Sequence, residues 1–148
     1  MSNRRLLSAA LPVALLMAGF AAGRLSSAGA VAHAQTGNRV FELRTYTTNE
    51  GKLPALQARF RDHTTRFFTK HGMTNIGYWV PQDAPLSQNT LIYVIAHPSR
   101  EAAKKSWAAF QADPEWQKVA AASQVDGRIL SKAPDSVFMD PTDYSLIK

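Results

Sequence analysis

Residues 39–47 read Arg-Val-Phe-Glu-Leu-Arg-Thr-Tyr-Thr. Phe41, Leu43 and Thr45 occupy one set of alternate positions, and Val40, Glu42, Arg44 and Tyr46 the other. This period of two marks a strand with two unlike faces. The apolar set is expected beneath helices. The charged set is expected on the other face, because a slip of one residue would put its charges under the helices instead.

Working outward, Asn49-Glu50-Gly51 is a turn, and Pro54 suits a helix's first turn, where its missing N–H costs nothing. Leu56, Phe60, His63 and Phe67 follow at helical spacing. Lys70 and His71 are cations suited to the helix end, and Gly72 suits the left-handed cap, so the first helix is expected over 54–70. Residues 75–81, with Ile76, Tyr78, Trp79 and Val80, read as a second strand. Residues 90–96 are almost wholly apolar and read as a strand buried on both faces. Ser99 is a good N-cap for a helix carrying Ala103, Trp107 and Phe110 on one stripe. Asp113-Pro114-Glu115 restarts the helix with cap, proline and acid in order, carrying it through Trp116 and Val119 to about Ser123. The last extended pieces are expected at 128–132 and 136–139.

The order β-α-β-β-α-β predicts an α+β, ferredoxin-like fold, one antiparallel sheet with helices on one face. The other face would be left open. Tyr46, Tyr78, Trp79 and the two-faced strand at 91–95 make that face too apolar for water. A second subunit packed sheet to sheet would cover it, giving a homodimer of the dimeric α+β barrel type.

The first 34 residues read differently. Arg4-Arg5 precede an apolar run at 6–22 interrupted only by Ser8 and Pro12, and Ala32-His33-Ala34 has the small-x-small pattern of a signal-peptidase site. Cleavage is expected after Ala34, delivering an exported, periplasmic or secreted protein with no stable membrane span. The run is short for an anchor of roughly 20 residues. The Arg pair also has a weak twin-arginine character.

The chain has 148 residues, 17 basic and 11 acidic, and no cysteine. No acid lies in the first 34 residues, so the 14 basic and 11 acidic residues beyond them leave a mild +3. That spread charge is not the clustered stripe of a nucleic-acid-binding protein. Without cysteine, disulfides, thiolate metal sites and thiol catalysis are excluded. Neither a Gly-rich phosphate loop nor a G-x-S-x-G elbow is present. His63, His71 and His97 are spaced too widely for a ligand pair on one helix, so no metal and no cofactor are expected.

Five segments, taken in order, carry a resemblance. They are Phe41-Glu42-Leu43-Arg44-Thr45-Tyr46, His71-Gly72, Gly77-Tyr78-Trp79, Ala112-Asp113-Pro114-Glu115-Trp116 and Pro141-Thr142-Asp143-Tyr144-Ser145. Together they resemble a NIPSNAP domain, placed here over residues 39–147. The resemblance implies the dimeric α+β barrel fold and supplies neither a reaction nor catalytic residues.

The candidate ligand-binding residues are Glu42, Arg44, Tyr46, His63 and Tyr78. Glu42, Arg44 and Tyr46 share a strand face, where an Arg removed from water needs a carboxylate or a ligand anion. The favoured reading is a structural ion pair of Arg44 with Glu42 or a partner carboxylate, so that changing Arg44 alone destabilises and changing Glu42 with it restores stability. His63 could donate or accept a proton in a cleft; the simpler reading is a core or stripe-edge histidine. Trp107, Phe110 and Trp116 read as core, and Lys104-Lys105 as a solvated face. The function expected is a dimeric small-molecule-binding or interaction module. The alternative is a cofactor-independent oxygenase- or isomerase-like enzyme acting on a small aromatic or carbonyl compound.

Overall fold

The computed structural model describes residues 39–148. The expected leader, its cleavage site and the Thr36-Gly37-Asn38 spacer lie outside the described residues. Four strands, β1 (Val40–Thr47), β2 (Thr74–Trp79), β3 (Thr90–His97) and β4 (Asp135–Met139), form one antiparallel sheet in the order β2-β3-β1-β4. The helices are α1 (Leu53–Arg59), α2 (Thr65–Lys70), the single turn α3 (Leu86–Asn89), α4 (Arg100–Ala112) and α5 (Pro114–Ala122). The element order and strand order are those of the ferredoxin-like α+β fold.

Local chemistry sets most boundaries where the residues predicted them. Ser99 Oγ accepts from the Ala102 N–H at 3.1 Å and starts α4. Asp113 Oδ1 accepts from the Glu115 N–H at 2.8 Å, and Pro114 opens α5. Gly72 ends α2 at φ +77°, a conformation a side chain would strain. Two boundaries differ. The first helix is not one α-helix but α1 and α2 joined by a π-helical turn over Phe60–Thr64, marked by the Thr65 N–H donating to the Phe60 carbonyl. The stretch 128–132 is not a strand: it meets the end of β1 and the two residues after it through the isolated Thr48–Leu130 bridge and bonds of Ser131 to the Thr47 carbonyl and of the Asn49 N–H to the Ile129 carbonyl, while Ile129 plugs the core.

The largest difference concerns the faces of β1. In the register of the sheet, Glu42 pairs with Ile95, Arg44 with Tyr93 and Tyr46 with Leu91. Leu91, Tyr93 and Ile95 are buried in one core with Leu56, Phe60, Phe67, Phe68 and Phe110 from the helices. The charged face of β1 therefore looks at the helices, opposite to the sequence expectation. Phe41, Leu43 and Thr45 instead share the open face with Ala96, Val94 and Ile92 of β3 and with Met139 and Val137 of β4. The reason is that Trp107 of α4, with Arg44, Ser136 and His97 on the sheet, donates to Glu42, so the carboxylate is not buried alone. Tyr46 and Tyr78, expected on the covered outer face, lie on the helix side; Trp79 is on the open face, opposite Ile92.

Candidate functional site

Glu42 sits at the centre of β1, only 1% exposed. Its Oε1 accepts from Arg44 Nη1 at 2.8 Å and Ser136 Oγ at 2.7 Å. Its Oε2 accepts from Trp107 Nε1 at 2.7 Å and His97 Nε2 at 3.0 Å. The donors come from β1, β4, α4 and the end of β3, so one carboxylate ties the sheet to α4. Burial pushes the Glu42 pKa up, but the hydrogen bonds from His97, Ser136, Trp107 and Arg44 outweigh it and bring it down to about 2. An ionised carboxylate can only accept, so His97 Nε2 is the donor, and its Nδ1 is left buried without a partner among the described residues.

Arg44 lies beside this cluster with its guanidinium carbon 4.5 Å from the centre of the Trp107 ring and 5.7 Å from that of Tyr46. Its Nε is buried and makes no hydrogen bond among the described residues. From Arg44 the polar interior continues: Tyr93 donates to the Tyr46 hydroxyl at 3.1 Å, and the Tyr78 ring stacks on Tyr93 at 5.4 Å. Tyr78 also donates to Asn75 Oδ1. Burial pushes the phenols of Tyr78 and Tyr93 well up, so both are neutral hydrogen-bonding groups. Glu42 and Arg44 form the floor of a groove of about 580 Å³ between α4 and β4. Arg100 and Lys104 stand on its α4 wall, and neither forms an ion pair among the described residues. Trp107 and Phe138 supply aromatic walls, with Arg100 4.2 Å from the Phe138 ring centre. Such a groove can hold and orient a small anion with a flat apolar body.

The family model for NIPSNAP matches residues 41–146. The chain belongs to the NIPSNAP family. Among solved structures, a NIPSNAP family protein of unknown function from Agrobacterium tumefaciens is 22% identical, covering 74% of this chain and 94% of that one, with a TM-score of 0.63. A NIPSNAP-like domain protein from Burkholderia xenovorans is 19% identical over 72% of this chain and 88% of that one, TM-score 0.62. A monooxygenase from Streptomyces coelicolor, solved with the ligand nanaomycin D, is 16% identical over 75% and 94%, TM-score 0.53. At these identities the likeness is one of fold. A search of curated proteins finds no match.

Within this NIPSNAP domain, Glu42, Arg44 and Tyr46 are brought together, and Tyr78 joins them through Tyr93. His63 is not. In the π turn one extra residue rotates the helix, so Thr64 rather than His63 continues the buried stripe, its Oγ1 donating to the Arg59 carbonyl at 3.1 Å. His63 lines a different groove, against α5. Sequence reasoning missed His97, Ser136 and the polar role of Trp107. His97 was within reach: it follows Tyr93 and Ile95 at strand period, and a buried indole N–H usually takes an acceptor.

Proposed function

We propose that this NIPSNAP domain is an exported, homodimeric binding module that takes a small aromatic acid into the groove between α4 and β4. The observation that carries the reading is Arg44 on the groove floor. Its Nη1 is engaged by Glu42, while its Nε is unpartnered among the described residues and two further cations, Arg100 and Lys104, line the same groove. A ligand carboxylate would complete this set. Support for a dimer is the open sheet face, where Leu43, Ile92, Val94, Val137 and Met139 lie together. Support for export is the basic, apolar and Ala-x-Ala order of the first 34 residues.

The enzymatic alternative, an oxygenase- or isomerase-like reaction, has the fold of the Streptomyces monooxygenase behind it. In this groove Glu42, with a pKa of about 2 and four donors, is a poor proton acceptor at neutral pH, which leaves Glu101 on the α4 wall as its remaining carboxylate. Titration of the purified protein with benzoate tests the binding reading. Saturable binding, weakened roughly tenfold by Arg100→Gln with Lys104→Gln, is expected. Equal affinity in that double variant would overturn it.

A further inference from the structure

A second groove, of about 560 Å³, runs between α1 with its π turn and α5. It is built around a charge that has no counter-ion among the described residues. Arg59, the last residue of α1, is only 8% exposed. Its Nη1 donates to Ser123 Oγ at 3.2 Å, its guanidinium carbon lies 5.7 Å from the Trp116 ring centre, and its Nε is buried with no hydrogen bond among the described residues. No carboxylate among the described residues reaches it within ion-pair distance. Burial lowers its pKa, with Tyr46 and Tyr93 opposing. A guanidinium withdrawn from water is ordinarily matched by an anion held against it. His63 and Lys118 line the same groove, and neither is paired among the described residues. The remaining walls are small and aliphatic: Ala55, Ala58, Val119 and Ala122.

We propose that this groove is a binding site for a short aliphatic carboxylic acid, its carboxylate held by Arg59 and Lys118 and its alkyl chain lying along the alanines and Val119. A monoanion fits better than a phosphate dianion for two reasons. One buried guanidinium matches one carboxylate through its planar fork, and Asp62 in the same groove repels additional negative charge. The site shares no lining residue with the groove between α4 and β4, so the two stand or fall separately.

The test is calorimetric titration of the full protein with hexanoate and, separately, inorganic phosphate, with the His63 ring resonances followed by NMR. Hexanoate should bind saturably at one site per chain and shift the His63 signals, and phosphate at equal concentration should not. Arg59→Gln should weaken hexanoate roughly tenfold or more, and Arg100→Gln should leave it unchanged. Should Arg59→Gln fail to fold, Lys118→Gln carries the same comparison and is expected to weaken binding by roughly threefold or more. Absence of saturable hexanoate binding would overturn the proposal. Binding untouched by the groove variants would do the same, as would a preference for phosphate. Loss of benzoate binding in the other groove has no bearing on this result.

Discussion

Glu42 makes four hydrogen bonds in a place almost without water, and its removal should be felt by every donor. Glu42→Leu strands the indole N–H of Trp107, His97 Nε2, the Ser136 hydroxyl and the Arg44 charge at once. A loss of about 3–5 kcal/mol in urea unfolding is expected. The sequence suggested that removing Arg44 together with Glu42 would restore stability. With four donors on one carboxylate, Arg44→Met in the Glu42→Leu background should recover only the charged share, and a full recovery would show that the neutral donors contribute little. The same site sets a pH dependence. The folded pKa of about 2 lies below the ordinary value of 4.5, so the stabilisation is complete above about pH 4.5 and is lost as pH falls towards 2. The pKa difference corresponds to roughly 3 kcal/mol, and unfolding measured across that window should flatten in Glu42→Gln. Trp107 separates volume from hydrogen bonding. Trp107→Ala should cost about 3–5 kcal/mol, while Trp107→Phe keeps a ring and leaves Glu42 three donors, so about 1 kcal/mol is expected from the same measurement.

At the scale of elements, the junction of α4 and α5 is held by Asp113. One carboxylate caps α5 through the N–H groups of Glu115 and Trp116 and pairs with Lys70 and His71 at the end of α2, each at 2.8 Å. The Lys70 and His71 contacts, with the backbone caps, hold its pKa well below the usual carboxylate range. Asn caps a helix as well as Asp, so Asp113→Asn should remove only the charge, and Asp113→Ala both charge and cap. Thermal denaturation should show the Ala variant melting several degrees below the Asn variant; equal melting temperatures would mean that the cap is idle. The π turn is the other decisive element. By adding one residue to the helical phase it replaces His63 with Thr64 in the core and turns the histidine towards α5.

At the scale of the whole molecule, a single helix layer leaves half the sheet without a cover. Leu43, Val94, Ile92 and Val137 form a continuous apolar surface across three strands, with Trp79 at the β2 edge 53% exposed. Pairing of two such faces would bury roughly 2,000 Å² or more in total. Sedimentation should therefore find a dimer at micromolar concentration, with a melting temperature that rises with protein concentration. Val94→Asp places a charge at the centre of the face and should yield a monomer of much reduced stability. A wild-type chain that sediments as a monomer would remove the dimer from the reading.

The local grammar of the chain was legible without a structure. The alternation at 39–47, the caps Ser99 and Asp113, Gly72 in the left-handed region and the order of elements each rest on interactions within a few residues, and the family followed from their sequence. What needed the tertiary structure was anything decided by a neighbour far along the chain. Period two separates Glu42, Arg44 and Tyr46 from Phe41, Leu43 and Thr45 without saying which set meets the helices. That choice was made by Trp107, His97 and Ser136, 65, 55 and 94 residues from Glu42, whose donors make a buried carboxylate tolerable. His63 was misplaced for a related reason. A helical stripe is read at 3.6 residues per turn, and the π turn that breaks this period is a departure the apolar pattern does not record.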